Sequence, residues 1–541
     1  MECTAGGLVQ CQCRQGASHM KSELFGRTRN VVLRRGSARE LRPDAHVVQP
    51  RGVLNPVRNE IKKPLQVMKF GGTSVADAAC IRNVAKIVRD AALANSVVVV
   101  VSAMSGVTNK LVEAGARSEA DEGAAVAVIL DGLRKQHFAA VDALVQPGER
   151  RDQLTRHTLQ LFEHCERLCQ GTLLLRELTL RARDAVWSLG ERLSAPMLAA
   201  ALVEAGVASE AVEATDVVVT DARHGAANPL MDLTRERCEA RMRPLIERDI
   251  VPVTTGFIGA TAEGVLTTLG RGGSDYSATI IGAALQADEV IIWTDVDGVL
   301  SADPDHVRSA RTIAEMSYRE AAELAHFGAK VLHPKTLNAL AQCSFPLWVR
   351  NTFKPRKLGT KITPEGSAKN DGAKAVTAIS DVCMISIGGP GIAKVHEVLG
   401  RTFARIAAIR TEVLLTSHSS SQNDICLVVS SAHAKQTVES LRNEFAGELG
   451  NEQQEYINID PTVAIVTVVG KDLEEASRIP DRALSALGRE NVKTKAIAYG
   501  SNGSNISFLV AQSDVKASVA AVHRELLKKT PQNGKRSRVS R

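Results

Sequence analysis

The chain has no long apolar run. Nothing in its 541 residues approaches the roughly 20 consecutive apolar positions that cross a bilayer, so no membrane partner is expected. The first 60 residues lack the apolar core of a secretory signal peptide. Zinc-site spacing is missing as well. Cys165 and Cys169 stand one helical turn apart, but no second Cys/His pair accompanies them, and no metal-binding residues are expected. The ten cysteines are scattered; Cys80, Cys383 and Cys426 fall in apolar patterns that suit buried thiols, and a reducing compartment is the simplest reading. The folded body also lacks positive charge. The net charge is +7, but residues 1–64 alone carry +7 and residues 528–541 carry +6, which leaves the body near −6. A nucleic-acid groove needs its positive charge on the folded surface, so no nucleic-acid partner is expected.

What is present describes a multidomain globular protein. The length suits two to four domains of roughly 100–200 residues. Hydrophobic content is 44% and charged content 23%, as in soluble globular chains. Residues 1–64 are Arg-rich and without steady periodicity, and are expected to be a disordered basic leader. A plastid or mitochondrial transit peptide, a bacterial extension and a start upstream of Met20 all fit them. The expected location is the cytoplasm, or the plastid stroma after removal of a transit peptide.

Between residues 65 and 362, strand and helix patterns alternate, which argues for a layered α/β domain with a mainly parallel sheet. Residues 97–102 are a nearly continuous β-branched run, as expected of a strand covered on both faces. Residues 217–220, 251–256 and 289–294 read as further strands, 121–202 as largely helical, and Ser274 as the cap of a helix running to about Leu285. Residues 354–374 read as a polar linker. Beyond it an internal repeat appears, with a period of 81 residues when Cys426 is aligned with Ser507. One unit begins at Met384 and the other at Val466, each reading strand, glycine turn, helix, strand, polar turn, strand. Such units cannot hide both sheet faces alone, so they are expected to pair with each other or across subunits.

The most informative stretch is Lys69-Phe70-Gly71-Gly72-Thr73-Ser74, between a short apolar run and a helical pattern over 77–94. Paired glycines at a strand-to-helix turn let backbone N–H groups converge on a phosphate. Four more patterns place glycines, hydroxyls, acids and bases where strands meet helices. They are Ser102-Ala103-Met104-Ser105-Gly106-Val107-Thr108-Asn109, Gly190-Glu191-Arg192-Leu193-Ser194, Arg271-Gly272-Gly273-Ser274-Asp275, and Thr294-Asp295-Val296-Asp297-Gly298. In open α/β sheets that edge binds ligands. None of these patterns matches GxxxxGK[ST] or GxGxxG.

Together with Lys330-Val331-Leu332-His333-Pro334, these motifs occur in an order that resembles the aspartokinases of the amino-acid-kinase family, over about residues 65–527. The resemblance implies a three-layer α/β sandwich followed by two α+β ACT units of the βαββαβ type. The implied boundaries are 65–365 for the catalytic domain, 375–455 and 456–527 for the ACT units, and 528–541 for a basic tail. It implies ATP-dependent phosphorylation of the β-carboxylate of L-aspartate, with ATP as co-substrate and Mg²⁺ beside it. It also implies feedback through the ACT units by lysine or threonine, and a homodimer or higher homo-oligomer. With no room after the repeats for a homoserine dehydrogenase domain, a monofunctional enzyme is expected.

The implied roles follow residue by residue. Lys69 is the catalytic cation. Ser102, Thr108, Glu191, Arg271, Ser274 and Asp275 hold the substrate, with Arg271 on its α-carboxylate and Glu191 and Asp275 on its α-ammonium. Lys69, Phe70, Gly71, Gly72, Thr294, Asp295, Leu300 and Lys330 border ATP. Gly391, Ile392, Ser420, Ser421 and Gln422 bind an effector. Two residues depart from the family pattern: Leu300 stands where an aromatic residue is usual and Asp305 where an arginine is usual. The lost cation and added anion at Asp305 are expected to weaken ATP binding unless His306 or Arg308 compensates. A catalytically weakened amino-acid sensor, or a kinase for another acidic amino acid, are the competing readings.

Overall fold

The computed structural model describes residues 63–329, 332–340, 344–367, 372–388, 395–419, 424–446, 456–473, 478–500 and 502–527. These lie in the compact unit Lys62–Arg541. Eight strands form the first sheet. In spatial order they are Ser209–Val212, Val251–Thr255, Ser96–Val101, Leu65–Phe70, Glu289–Thr294, Leu347–Asn351, Thr360–Thr363 and Glu315–Ser317. Neighbours run parallel except Leu347–Asn351 with Thr360–Thr363. The mainly parallel sheet expected from the alternating pattern is therefore present.

Both faces of this sheet are covered. In the strand Ser96–Val101, Val97, Val99 and Val101 enter one core while Val98 and Val100 enter the other. That two-sided burial is why the strand can be valine throughout, each side chain contributing roughly 1.5–3 kcal/mol. The helix Ala78–Ala92 packs one apolar stripe, Ile81, Val84, Ala85 and Val88, into the first core. It starts where the Asp77 carboxylate accepts from the Cys80 N–H. The helices Gly123–Leu144, Glu149–Leu175, Leu180–Trp187 and Leu189–Glu204 fill the expected helical region, and with Val107–Glu119, which precedes it, they complete that layer.

Three expectations need correction here. Ser274 does not cap its helix: Gly273–Ala284 is capped by Gly272, whose φ of +71° suits glycine and leaves Ser274 inside the first turn. Residues 217–220 form no strand, only single bridges from Val219 to Ala260 and Thr220 to Pro229. Residues 354–374 are not simply a linker, since they contain Thr360–Thr363 and the start of the next long strand. Of the thiols expected in cores, Cys383 is buried, while Cys80 and Cys426 are half-buried.

The second sheet is antiparallel and has six strands, in the order Val413–Ser419, Asp424–Ser430, Gly372–Gly388, Tyr456–Lys471, Asn505–Ala511 and Ala496–Tyr499. The two repeats pair with each other, as one of the two expected arrangements required. Their shared strands are longer than the sequence suggested. Residues 372–379 pair with 465–471, whereas 382–388 pair with 456–463 and with the first repeat's own strand Asp424–Ser430. Register shifts near Ile379 and Val382 mark the crossover.

Contacts of three kinds tie this sheet to the first. Lys374 Nζ lies 2.8 Å from Glu320 Oε2, both side chains almost wholly buried. Glu320 also completes a capping box with Ser317 at the start of the helix Tyr318–His326. The Val376 N–H donates to the Ser301 carbonyl at 2.9 Å, and Ser301 Oγ sits 2.9 Å from His523 Nε2.

Candidate active site

An open cleft of about 550 Å³ lies at the carboxyl ends of the strands Leu65–Phe70, Ser96–Val101 and Glu289–Thr294. It gathers Lys69, Gly71, Gly72, Ser102, Thr108, Glu191, Arg271, Ser274, Asp275, Thr294 and Asp295. Eleven residues expected from five separated motifs thus border one space, as the sheet-edge rule anticipates.

Glycines make the close approaches. The Gly71 N–H donates to the Trp293 carbonyl at 3.2 Å, and the short turn Gly72–Val75 follows. A Cβ on Gly72 would stand 3.1 Å from the Ala103 carbonyl oxygen. A Cβ on Gly190 would stand 2.5 Å from Ala103 Cβ, so only glycine lets the helix Leu189–Glu204 bring Glu191 this close to the 102–106 loop.

The charges are arranged as follows. Lys69 Nζ lies 2.6 Å from Asp275 Oδ1, and the two side chains are 11% and 15% exposed. Arg271 is exposed at the rim, beside the positive-φ Gly272. Glu191 is 3% exposed, and its Oε2 has no hydrogen-bond partner among the described residues. Burial pushes its carboxyl up to about 8, against the opposing pull of the Ala103 and Glu191 backbone N–H groups and the Lys69 charge. A buried carboxyl with a free oxygen invites a cationic ligand group, which would favour its ionised form.

Some expected residues lie elsewhere. Phe70 does not face the cleft: it is fully buried and stacked on Trp293, with ring centroids 5.9 Å apart. Leu300 lines a separate, mainly apolar cavity of about 190 Å³ with Val296, Gly298 and Pro304, bounded on the far side by Val376 and Val519. Asp297, in the motif that carries Thr294 and Asp295, does not line the cleft; the hydrogen bond from Lys357, then those from Asn351 and Lys354, hold its carboxyl down at about 2. Lys330, Gly391, Ile392, Ser420, Ser421 and Gln422 lie outside the described residues. Among the described residues no group of three or more His, Cys, Asp and Glu side chains is placed to hold a metal ion.

The cleft also has members that were not singled out. Asn109, at the end of a quoted motif, and Phe257 line it. Phe257 carries φ +69°, held there by its N–H donating to Ser277 Oγ at 2.9 Å. A lone phenylalanine after glycine offers no sequence signal for this.

The amino acid kinase family model matches residues 64–351, and the ACT domain model matches 385–445 and 466–526. The chain belongs to the amino acid kinase family. Its relatives there are aspartokinases. Aspartokinase 1, chloroplastic, of Arabidopsis thaliana is 31% identical over 467 residues, covering 85% of this chain and 79% of the relative. The bifunctional aspartokinase/homoserine dehydrogenase of Haemophilus influenzae is 31% identical over 483 residues, covering 85% of this chain and 56% of the relative. The chain spans about half the length of such bifunctional relatives. Among solved structures, E. coli aspartokinase III in complex with aspartate and ADP is similar, with 30% identity and a TM-score of 0.72 over 86% of this chain and 100% of that one. The same E. coli protein with lysine and aspartate gives a TM-score of 0.69, at the same identity and coverage.

Proposed function

We propose that this amino acid kinase transfers the γ-phosphoryl group of ATP to the β-carboxylate of L-aspartate, giving 4-phospho-L-aspartate and ADP. The observation that carries the reading is the convergence of Lys69, Arg271, Glu191 and Asp275 on one cleft. The aspartate and ADP bound to the similar E. coli enzyme support it.

The chemistry asks little of a general base, because a carboxylate is already ionised at neutral pH. One carboxylate oxygen forms the new bond to the γ-phosphorus. The bond from phosphorus to the β,γ-bridging oxygen breaks, and its electron pair leaves with ADP. The difficulty is bringing anions together and stabilising charge on the transferring group. Lys69 supplies that charge, assisted by the Gly72 amide, while the Gly71 N–H is taken by the Trp293 carbonyl. Arg271 offers a planar fork to the α-carboxylate. Glu191 and Asp275 receive the α-ammonium, and Ser102, Thr108 and Ser274 offer neutral donors around the carboxylates. Thr294 and Asp295 border the nucleotide, and the charge of Lys330 is assigned to its phosphates. Mg²⁺ would come held by those phosphates and water, supplying further charge neutralisation.

Feedback through the paired ACT units is the regulatory part of the proposal. The lysine complex of the E. coli protein favours lysine over threonine as effector. A homo-oligomer belongs to the same proposal. The chloroplastic and bacterial relatives keep both plastid stroma and cytoplasm in view as locations.

The test is a substrate panel. Purified protein with ATP and Mg²⁺ is offered L-aspartate, L-glutamate and N-acetyl-L-glutamate, and ADP release is followed. Turnover selective for aspartate, reduced by added lysine, is the expected result. Turnover of N-acetylglutamate in place of aspartate would overturn the substrate assignment.

A further inference from the structure

We infer that Asp184 is a positioning residue, a buried carboxylate that fixes the Arg271 loop relative to the Glu191 helix and so sets the fit of the amino-acid substrate. The inference rests on the assignment of Arg271 and Glu191 to that substrate.

Asp184 sits on the helix Leu180–Trp187, is 0% exposed, and does not line the cleft. Its two oxygens take four hydrogen bonds. Thr268 Oγ1 donates to Oδ1 at 2.6 Å, and the Thr268 N–H donates to Oδ2 at 3.3 Å. The Gly225 N–H donates to Oδ2 at 3.0 Å, and His224 Nδ1 lies 2.7 Å from the same oxygen. All four partner atoms belong to the 221–229 loop or to the strand Leu266–Thr268. A buried carboxylate is tolerated only when its lone pairs are satisfied, and here the satisfying groups come from two segments distant from the helix in sequence.

Those segments lead directly to the site. From Thr268 the chain runs through Leu269 and Gly270 to Arg271. A Cβ on Gly270 would stand 2.9 Å from the Gly225 carbonyl oxygen, so the two clamped loops touch just before Arg271. The Ala227 N–H donates to the Thr268 carbonyl at 2.9 Å, closing the same contact. In the other direction, the Ser188 N–H donates to the Asp184 carbonyl at 3.0 Å, and the helix carrying Glu191 begins at the next residue. One residue therefore links the supports of two of the charges assigned to the amino acid, its carboxylate holding the segments before Arg271 and its backbone carbonyl the start of the Glu191 helix. Nucleotide-bordering Thr294 and Asp295 stand at the end of a different strand, Glu289–Thr294, to which Asp184 makes no hydrogen bond.

The experiment compares Asp184→Asn, Thr268→Val and Thr268→Ser in the full chain by steady-state kinetics. Hydrogen–deuterium exchange over 266–272 is read in parallel. A misplacement near 1 Å can cost on the order of 100-fold, so Asp184→Asn is expected to raise KM for aspartate at least about tenfold while KM for ATP stays within about twofold. Thr268→Val, which loses only the hydroxyl bond, is expected to move KM the same way by a smaller factor, and Thr268→Ser to restore it. Exchange over 266–272 should quicken in the first two variants. A KM for aspartate unchanged in folded Asp184→Asn and Thr268→Val would overturn the inference. So would KM values for both substrates rising together. If the wild-type chain fails to turn over aspartate, the substrate assignment falls. Exchange then decides the clamp by itself: faster exchange in Asp184→Asn upholds it, and unchanged exchange removes it.

Discussion

Lys69 Nζ stands 2.6 Å from Asp275 Oδ1, so the cation assigned to the phosphoryl group is ion-paired to a carboxylate assigned to the substrate ammonium. Neither partner is idle solvent-facing charge, since both are largely covered. The pair also joins two elements, the strand Leu65–Phe70 and the helix Gly273–Ala284, at the edge of the cleft.

Lys69→Ala removes the cation from the cleft. Loss of one preorganised charge-stabilising group typically costs about 10²–10³ in kcat, and a fall of at least that size is expected. Far-UV circular dichroism should be unchanged. Lys69→Arg should not restore the rate, because a guanidinium is a larger planar group than the point charge that fits beside Gly71.

Glu191 couples function to stability. Its carboxyl is raised to about 8 in the folded chain, from an ordinary value near 4.5. Between those pH values the folded state binds more protons than the unfolded state, so this group makes stability fall as pH rises. Glu191→Gln removes that dependence. The variant should melt above wild type by a margin that widens from pH 5 to pH 8 and then levels off, measured by calorimetry across that range. It should also bind aspartate more weakly, because the carboxylate that meets the ammonium is gone. A margin that shrinks as pH rises would contradict the burial argument.

Lys374 and Glu320 form a buried pair between the two sheets. Removing one partner of such a pair strands the other charge, at about 3–5 kcal/mol. Lys374→Met should therefore lower stability by that order in denaturant titration. Lys374→Met combined with Glu320→Gln should recover a substantial part of the loss, since no bare carboxylate remains. Additive losses in the double variant would rule out the pairing.

Gly190→Ala tests the close approach beneath the cleft. Its Cβ would fall 2.5 Å from Ala103 Cβ, which forces the helix or the 102–106 loop to move. Overpacking of this kind costs about 1–3 kcal/mol. KM for aspartate should rise because Glu191 follows directly. Gly132→Ala, in the exposed interior of the helix Gly123–Leu144 where an added Cβ meets nothing within 4 Å, should leave KM unchanged and raise stability by about 0.5–1 kcal/mol.

Much of this was legible in the sequence, for reasons that are local. The Ser96–Val101 strand announces itself because two-sided burial demands an unbroken apolar run. Lys69, Glu191, Arg271 and Asp275 stand beside glycines, and such glycines mark places where the backbone must come close to something. The long strands Gly372–Gly388 and Tyr456–Lys471 were harder. Ser380 and Asp381, at the register shift, interrupt the apolar alternation and read as a boundary, when the strand only bends there and changes partners. Which half of each strand joins which repeat is set by pairing between distant segments, which no window of sequence contains. Asp184 was invisible for a related reason. A single aspartate on a short helix looks like a solvated face until His224, Gly225 and Thr268 are folded around it. Phe70 misled in the opposite sense: it sits inside the most informative motif, yet strand alternation turns it into the core while Lys69 turns toward the cleft.

The most direct measurement is the trapping of aspartyl phosphate as its hydroxamate in a reaction of purified chain, ATP, Mg²⁺ and L-aspartate, run beside Lys69→Ala. The account predicts hydroxamate from the wild-type chain and none above background from the variant. Equal hydroxamate from both, or none from a folded wild-type chain that still binds both substrates, would contradict it.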